Sequence, residues 1–225
     1  MGNSLTVRID DLLQFDPITK NQELATAAWD EGDNLVLTGT AGTGKTFLAM
    51  YLALEDVLEK QNEWDRLIII RSIVPTRDMG YLPGDKEAKE DAFKSPYKSI
   101  CMELFADKSA YNKLTTAKQV MFETTSFLRG TQFDNAIILV DEMQNLNFHE
   151  LDSVITRVGK NSKIIFSGDY KQSDFKYQDE KDGIMKFLSI VEQLKNFTIV
   201  NYGWEDIVRS DFVRDYIMTK EMLGY

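Results

Sequence analysis

The stretch Leu35-Val-Leu-Thr-Gly39-Thr-Ala-Gly42-Thr-Gly44-Lys45-Thr46-Phe-Leu-Ala-Met50 decides the fold. Leu35, Val36 and Leu37 form a short apolar run that reads as a buried strand. From Lys45 onward Phe47, Leu48, Tyr51, Leu52 and Val57 recur at helical spacing. A strand therefore passes through a loop into a helix. Gly39, Gly42 and Gly44 permit a tight backbone whose N–H groups point inward, and the helix N-terminus adds its partial positive charge to the same place. Anionic oxygens belong there. The segment fits G-x-x-x-x-G-K-[ST], in which the lysine reaches terminal phosphates and the final hydroxyl ligates Mg²⁺. Thr40, Ala41, Gly42, Thr43, Gly44, Lys45 and Thr46 are thus the candidate phosphate-binding residues, with Thr46 also a candidate metal ligand.

Working outward, apolar runs recur at Leu67 to Ile70, Val120 to Thr124, Ala136 to Val140, Lys163 to Phe166 and Thr198 to Tyr202. Helical patterns separate most of them: Asn21 to Glu31, Thr46 to Lys60, Phe93 to Ala106, Phe148 to Val158, Gly183 to Leu194 and Glu205 to Leu223. Strands alternating with helices predict an α/β fold with a mostly parallel sheet covered on both faces. In such sheets ligands bind beyond the C-terminal ends of the strands. The chemistry is therefore expected just after each apolar run.

After Ile137 to Val140 come Asp141 and Glu142. The aspartate can hold Mg²⁺, and the glutamate can orient or deprotonate an attacking water. Two adjacent carboxylates at a buried strand end repel each other unless a cation is present. After Ile164 to Phe166 comes Ser167-Gly-Asp-Tyr-Lys-Gln172, whose glutamine can hydrogen-bond a γ-phosphate or the attacking water. After Leu67 to Ile70 come Arg71, Thr76 and Arg77, a set that suits either the backbone phosphates of a polymer or a subunit interface, and Arg129 offers a further cation on the same edge. Upstream, Gln22 carries one amide donor group and one acceptor, as the adenine N6/N7 edge requires.

Composition bounds these readings. The 225 residues, 43% hydrophobic, suit one large domain or a domain with an insertion; the charged stretch from Gly84 to Lys94 opens an expected helical insertion spanning 85–118. The net charge of −10 opposes broad nonspecific nucleic-acid binding but leaves room for a local basic channel. No apolar run approaches the roughly 20 residues that span a bilayer, and no signal-peptide pattern opens the chain, so a cytoplasmic protein with no membrane partner is expected. Cys101 stands alone and reads as a buried small hydrophobe; the single His149 receives no catalytic role.

In order, Gln22, the phosphate loop, Asp141-Glu142-x-Gln144 and Gly168-Asp169-x-x-Gln172 resemble the corresponding set in superfamily 1 helicases. More closely, the chain resembles the PhoH-like family of phosphate-starvation-associated ATPases. The matching blocks are TAGTGKT at Thr40 to Thr46, GYLPGD at Gly80 to Asp85, FLRG at Phe127 to Gly130, IILVDEMQN at Ile137 to Asn145, the run Thr156 to Asp174, and DIVRSDFV at Asp206 to Val213. The resemblance implies a RecA-like P-loop NTPase using ATP and Mg²⁺, arranged in rings with a hexamer favoured, and related to single-stranded RNA or DNA. No arginine in the phosphate loop or in the Asp141 and Gln172 segments is placed to neutralise a γ-phosphate. Such a residue is therefore expected from a neighbouring copy, with Arg209 ahead of Arg157 and Arg129. About 50 residues beyond Gln172 are too few for a second domain of this size. The alternative to an ATPase coupled to a polymer is a slow, nucleotide-gated switch or scaffold acting through assembly.

Overall fold

The computed structural model describes residues 6–72, 86–125, 132–169 and 178–224, with the side chains of 86–90 and 178–182 left aside. Six strands are described: β1 Asn34–Gly39, β2 Arg66–Arg71, β3 Val120–Thr124, β4 Ala136–Val140, β5 Lys163–Gly168 and β6 Phe197–Tyr202. They form one sheet in the order β3-β2-β4-β5-β1-β6, and every neighbouring pair is parallel.

The strand sequences explain why both faces are covered. Along β1, Leu35 and Leu37 point into one core cluster and Val36 into the other; along β2, Leu67 and Ile69 alternate in the same way with Ile68 and Ile70. Because successive side chains leave a strand on opposite faces, a run with no polar residue must be buried twice. The first face is covered by α1 Lys20–Asp30, α2 Lys45–Leu58, α3 Lys86–Phe105 and α4 Ala110–Thr116. The second is covered by α5 Phe148–Ile155 and α6 Gln178–Val191. Each Leu or Ile moved out of water in this way contributes roughly 1.5–3 kcal/mol, so the alternation along four central strands is the main source of stability.

Register sets the site. Thr38 pairs with Gly168 and Gly39 with Tyr202, while Ile70 and Phe166 both pair with Val140. The phosphate loop, Arg71, Asp141 and Asp169 consequently leave the sheet at one edge. Gly39 has to be glycine there: at φ +118, a Cβ on it would stand 2.1 Å from the Tyr202 carbonyl oxygen.

Helix boundaries depart from the periodicity at several points, among them α6, which begins at Gln178 rather than Gly183. The helix expected from Phe93 begins at Lys86. It stops where Ala106 turns to φ 48, and Asp107 then accepts from Ser109 to open α4, a separate helix that the pattern did not resolve. The helix expected from Glu205 begins only at Asp211, as α7 Asp211–Met222. Trp204–Asp206 is instead a 3₁₀ turn, closed by the Asp206 carboxylate accepting from the Gly203 N–H at 2.8 Å. A local hydrogen bond has beaten helical propensity. Cys101 is fully buried, and burial pushes its thiol up to about 12.

At the opposite end of the sheet Lys163 is 7% exposed, its Nζ 2.8 Å from the Trp29 carbonyl oxygen and 3.4 Å from the centre of the Trp29 ring. Burial pushes the amine down to about 8, against the pull of Asp56, Asp30 and Asp33. The sign follows from linkage. An amine easier to deprotonate in the folded state destabilises fully below about pH 8, and that cost vanishes as pH rises through its ordinary 10.5. Between those values, the stability of the wild type is expected to gain on that of Lys163→Met by at most about 3 kcal/mol, solvent screening reducing the full linkage value. Urea melts across that range check it; a constant difference would show that the cage imposes no cost on the ammonium.

Candidate functional site

The loop between β1 and α2 holds Gly39, Gly42 and Gly44 at φ 118, 77 and 82, left-handed values that a Cβ disfavours. Gly44 directly precedes α2, so the loop amides and the helix N-terminus converge. Lys45 is folded back into the loop: its Nζ donates to the carbonyls of Gly39 at 2.8 Å and Thr40 at 2.7 Å, and to Thr43 Oγ1 at 3.3 Å. Burial pushes the amine down, and Asp169, Glu142, Asp141 and Glu221 pull it back up. Thr40 and Thr43 are buried, and Ala41 lines the wall.

Opposite the loop, Asp141 is 3% exposed and both its oxygens are engaged. Oδ1 accepts from Thr46 Oγ1 at 2.9 Å, and Oδ2 accepts from the Tyr97 hydroxyl at 2.8 Å. Tyr97, on α3, is fully buried, and burial together with Asp141 raises its pKa well above the ordinary value, so it acts as a donor. Glu142 stands at φ 53, a conformation uncommon outside glycine. Its Oε2 accepts from Gln144 Nε2 at 2.6 Å and its Oε1 lies 4.0 Å from Arg71 Nη2. Gln144 Oε1 in turn accepts from the Asp169 N–H at 3.0 Å. One amide therefore ties the end of β4 to the end of β5. It fits only because Gly168 has no side chain: a Cβ there would meet Gln144 Oε1 at 2.3 Å.

Gln22 is 7% exposed and braces the loop from behind. Its Nε2 donates to the Thr43 carbonyl at 3.1 Å and its Oε1 accepts from the Ile18 N–H at 2.9 Å. One amide hydrogen and one lone pair remain for a ligand. Nearby, Phe15 meets Phe47 edge-on at 5.0 Å and Tyr51 at 6.0 Å. These rings, the loop, Asp141 and Arg209 line one cleft of about 870 Å³.

Arg209, expected to act on the site of a neighbouring copy, lies instead on the phosphate loop of its own chain, its Cγ 3.1 Å and its Nε 3.7 Å from the position of a Cβ on Gly42. The Val208 N–H donates to the Gly42 carbonyl at 3.0 Å, which pins this segment over the loop. Arg71, expected to face a polymer or an interface, turns towards Glu142. Arg157 lies against the end of α5, its Nη1 donating to the Ser153 carbonyl and hydroxyl. Gln172, Thr76, Arg77 and Arg129 lie outside the described residues, as do the Gly80 to Asp85 and Phe127 to Gly130 blocks.

Sequence reasoning missed Tyr97, Asp206, Trp204 and Glu221. Asp206 is 1% exposed and accepts from Asn21 Nδ2 at 2.7 Å, which joins the start of α1 to the turn before Arg209. Glu221 Oε2 accepts from Trp204 Nε1 and, at 3.5 Å, from Thr40 Oγ1, so α7 reaches back to the loop. No described helix is long and apolar enough to cross a membrane, and among the described residues no cluster of three or more His, Cys, Asp or Glu side chains could hold a metal.

A glycine loop running from a central parallel strand into a helix, with a carboxylate bonded to the hydroxyl after its lysine, defines a RecA-like P-loop domain. The solved large terminase of a thermophilic bacteriophage shares the fold, with a TM-score of 0.51 at 12% identity over 92% of this chain and 50% of that one. The profile of the family described as PhoH-like protein matches residues 14–220. The chain belongs to the PhoH-like family. It is 35% identical to the PhoH-like protein of Synechocystis over 81% of this chain and 55% of that protein, and 35% identical to protein PhoH2 of Bacillus subtilis over 72% and 37%. Protein PhoH of Escherichia coli is 32% identical over 77% of this chain and 49% of its own length. The chain thus spans about half the length, or less, of these relatives.

Asp206 gives the site a testable acid dependence. Burial pushes its carboxyl up, but hydrogen bonds from Thr19, Asn21 and Gly203 outweigh that and hold it below the ordinary 3.8. Its contribution is therefore present above the ordinary carboxylate range and lost as pH falls through the lowered folded value. Asp206→Asn is expected to cost about 1–3 kcal/mol at pH 7, with the gap closing as the medium is taken below pH 4. Denaturant melts of both proteins at neutral and acid pH check this. A gap that stays open in acid would mean that the charge is irrelevant.

Proposed function

We propose that the chain binds and hydrolyses ATP with Mg²⁺. The observation that carries this reading is the 2.9 Å hydrogen bond from Thr46 to Asp141 beside a left-handed glycine loop and a buried lysine. One hydroxyl and one carboxylate fit Mg²⁺, which usually keeps several waters and takes its other oxygens from phosphates rather than from an all-protein cage. When bound, the cation would neutralise charge on the transferring phosphoryl group.

The residues then divide the work. Lys45 trades the loop carbonyls for phosphate oxygens, which are stronger acceptors for an ammonium. The amides from Ala41 to Thr46 cradle the polyphosphate. Asp141 and Thr46 hold the cation. Glu142, fixed by Gln144, orients the attacking water and takes its proton, and Gln172 senses the γ-phosphate. Arg209 supplies a cation from within the same chain. Gln22 reads the adenine edge with its remaining hydrogen and lone pair while bracing Thr43. Assembly into a ring, with a hexamer favoured, and coupling to single-stranded RNA or DNA belong to the same proposal. Exposed apolar residues on α7 support assembly: Phe212 is 81% and Tyr216 64% exposed.

The Arg71–Glu142 contact favours a second reading, a slow nucleotide-gated switch. A carboxylate held towards a guanidinium has to be released before it can reach the proton of an attacking water, since a general base works only within hydrogen-bond reach.

Lys45→Ala is expected to lose ATP binding. Glu142→Gln should retain binding while turnover falls by roughly 10²–10⁴-fold. Fluorescent-nucleotide titration and phosphate release separate the two; wild-type turnover by Glu142→Gln would remove Glu142 from the base role. Gln22→Ala should narrow the preference for ATP over GTP, since guanine presents O6 where adenine presents an amino group. Competition between the two nucleotides measures this, and an unchanged preference would leave Gln22 as a brace alone.

A further inference from the structure

Of the two donors that hold Asp141, Thr46 belongs to the phosphate loop and Tyr97 does not. Tyr97 arrives from α3, in the segment between β2 and β3. Its hydroxyl donates to Asp141 Oδ2 at 2.8 Å, with the Arg71 guanidinium nearby. Arg71 also stands 4.0 Å from Glu142 Oε1 and 5.8 Å from the centre of the Phe93 ring, one turn earlier on α3. One buried hydroxyl thereby holds the Asp141 carboxylate at the end of β4, close to the cation at the end of β2.

We propose that Tyr97 is a positioning residue: its hydroxyl fixes Asp141 so that Oδ1, the oxygen shared with Thr46, is the one offered to a divalent cation, and it links the poise of Glu142 to α3. The inference rests on the ATPase reading above. Tyr97 packs in the core beside Phe122, but its hydroxyl has a specific target. The buried hydroxyls of Tyr111 and Tyr202 have no hydrogen-bond partner among the described residues, whereas that of Tyr97 donates to the buried carboxylate that also holds Thr46 of the phosphate loop. With Oδ2 held, rotation of the carboxylate costs a buried hydrogen bond to a charged group, so Oδ1 keeps its direction. Pro96, next to Tyr97, lies inside α3 and lines the cleft. Lacking an N–H, it leaves the carbonyl of Ala92 without its helical partner, in the turn of α3 beside Tyr97. Movement of α3 at that point would therefore be felt at Asp141 and Glu142 together.

The test measures metal affinity rather than turnover. Mn²⁺ is titrated by electron paramagnetic resonance into the full chain with a non-hydrolysable ATP analogue, and binding of the analogue is measured separately in EDTA. Tyr97→Phe keeps the ring and removes the hydroxyl. Its half-saturating Mn²⁺ concentration is expected to rise by roughly 10-fold or more, the usual effect of losing a group that orients a metal ligand, while analogue binding in EDTA stays within about twofold of wild type, the loop being untouched. Arg71→Gln, at a partly exposed side chain, removes the cation beside Glu142 and Tyr97 and should shift Mn²⁺ in the same direction by less; it serves if Tyr97→Phe does not fold. If the variants that fold bind Mn²⁺ as the wild type does, Tyr97 is a core residue and the proposal fails while the ATPase reading stands. If the wild type itself shows no nucleotide-dependent Mn²⁺ binding, both fail.

Discussion

Everything at the edge of the sheet depends on keeping one carboxylate, that of Asp141, out of water. A buried anion is costly unless it is hydrogen-bonded and paired. Asp141 solves half of this with two hydroxyl donors, from Thr46 and Tyr97. Those donors lie on α2 and α3, so satisfying one group fixes two helices against the end of β4. The remaining cost is the negative charge itself, and with Glu142 beside it the charge is doubled. A cation is the natural complement, and this ties the metal proposal to burial rather than to motif spacing alone.

The same constraint explains the glycines and the glutamine. Strand ends crowded around a buried charge leave no room for side chains at Gly39 and Gly168, where a Cβ would stand 2.1 Å from Tyr202 and 2.3 Å from Gln144. Gln144 fills the space with hydrogen bonds, to Glu142 on one side and Asp169 on the other. Small residues at these points are not flexibility for its own sake. They let neighbouring backbones and one amide approach closely enough to hold Glu142 in its left-handed conformation.

Local contacts made much of this legible in the sequence. The six apolar runs became six strands, the four central ones buried on both faces and the edge strands β3 and β6 only in part, and periodicity reports burial directly. Lys45, Thr46 and Asp141 converge because parallel strands deliver their C-terminal ends to one edge. What the sequence left unread depends on contacts between distant segments. Arg209 reaches Gly42 in its own chain because the Val208 N–H donates to that residue and the Asn21–Asp206 hydrogen bond anchors the turn, the latter across 185 residues. Tyr97 reaches Asp141 across 44 residues, and nothing in the pattern around Pro96 announces it. Glu205 looked like a helix start by spacing, but the side chain of Asp206 closes a turn instead. Propensity and period carry no record of such hydrogen bonds.

The balance of charge gives a further reason to expect a divalent cation with any nucleotide. Lys45 is surrounded by Asp169, Glu142, Asp141 and Glu221, all of which favour its charge. Against them stand Lys45 itself, Arg71 beside Glu142 and Arg209 on the loop. A polyphosphate arriving alone would add its negative charges to four carboxylates in a cleft where burial weakens solvent screening. Arriving with a divalent cation, it would bring a positive charge to Asp141 and offer Lys45 stronger acceptors than its own loop. The acidic surroundings of the lysine therefore do more than offset its burial: under the proposed function they would favour the metal-bound nucleotide over the bare one.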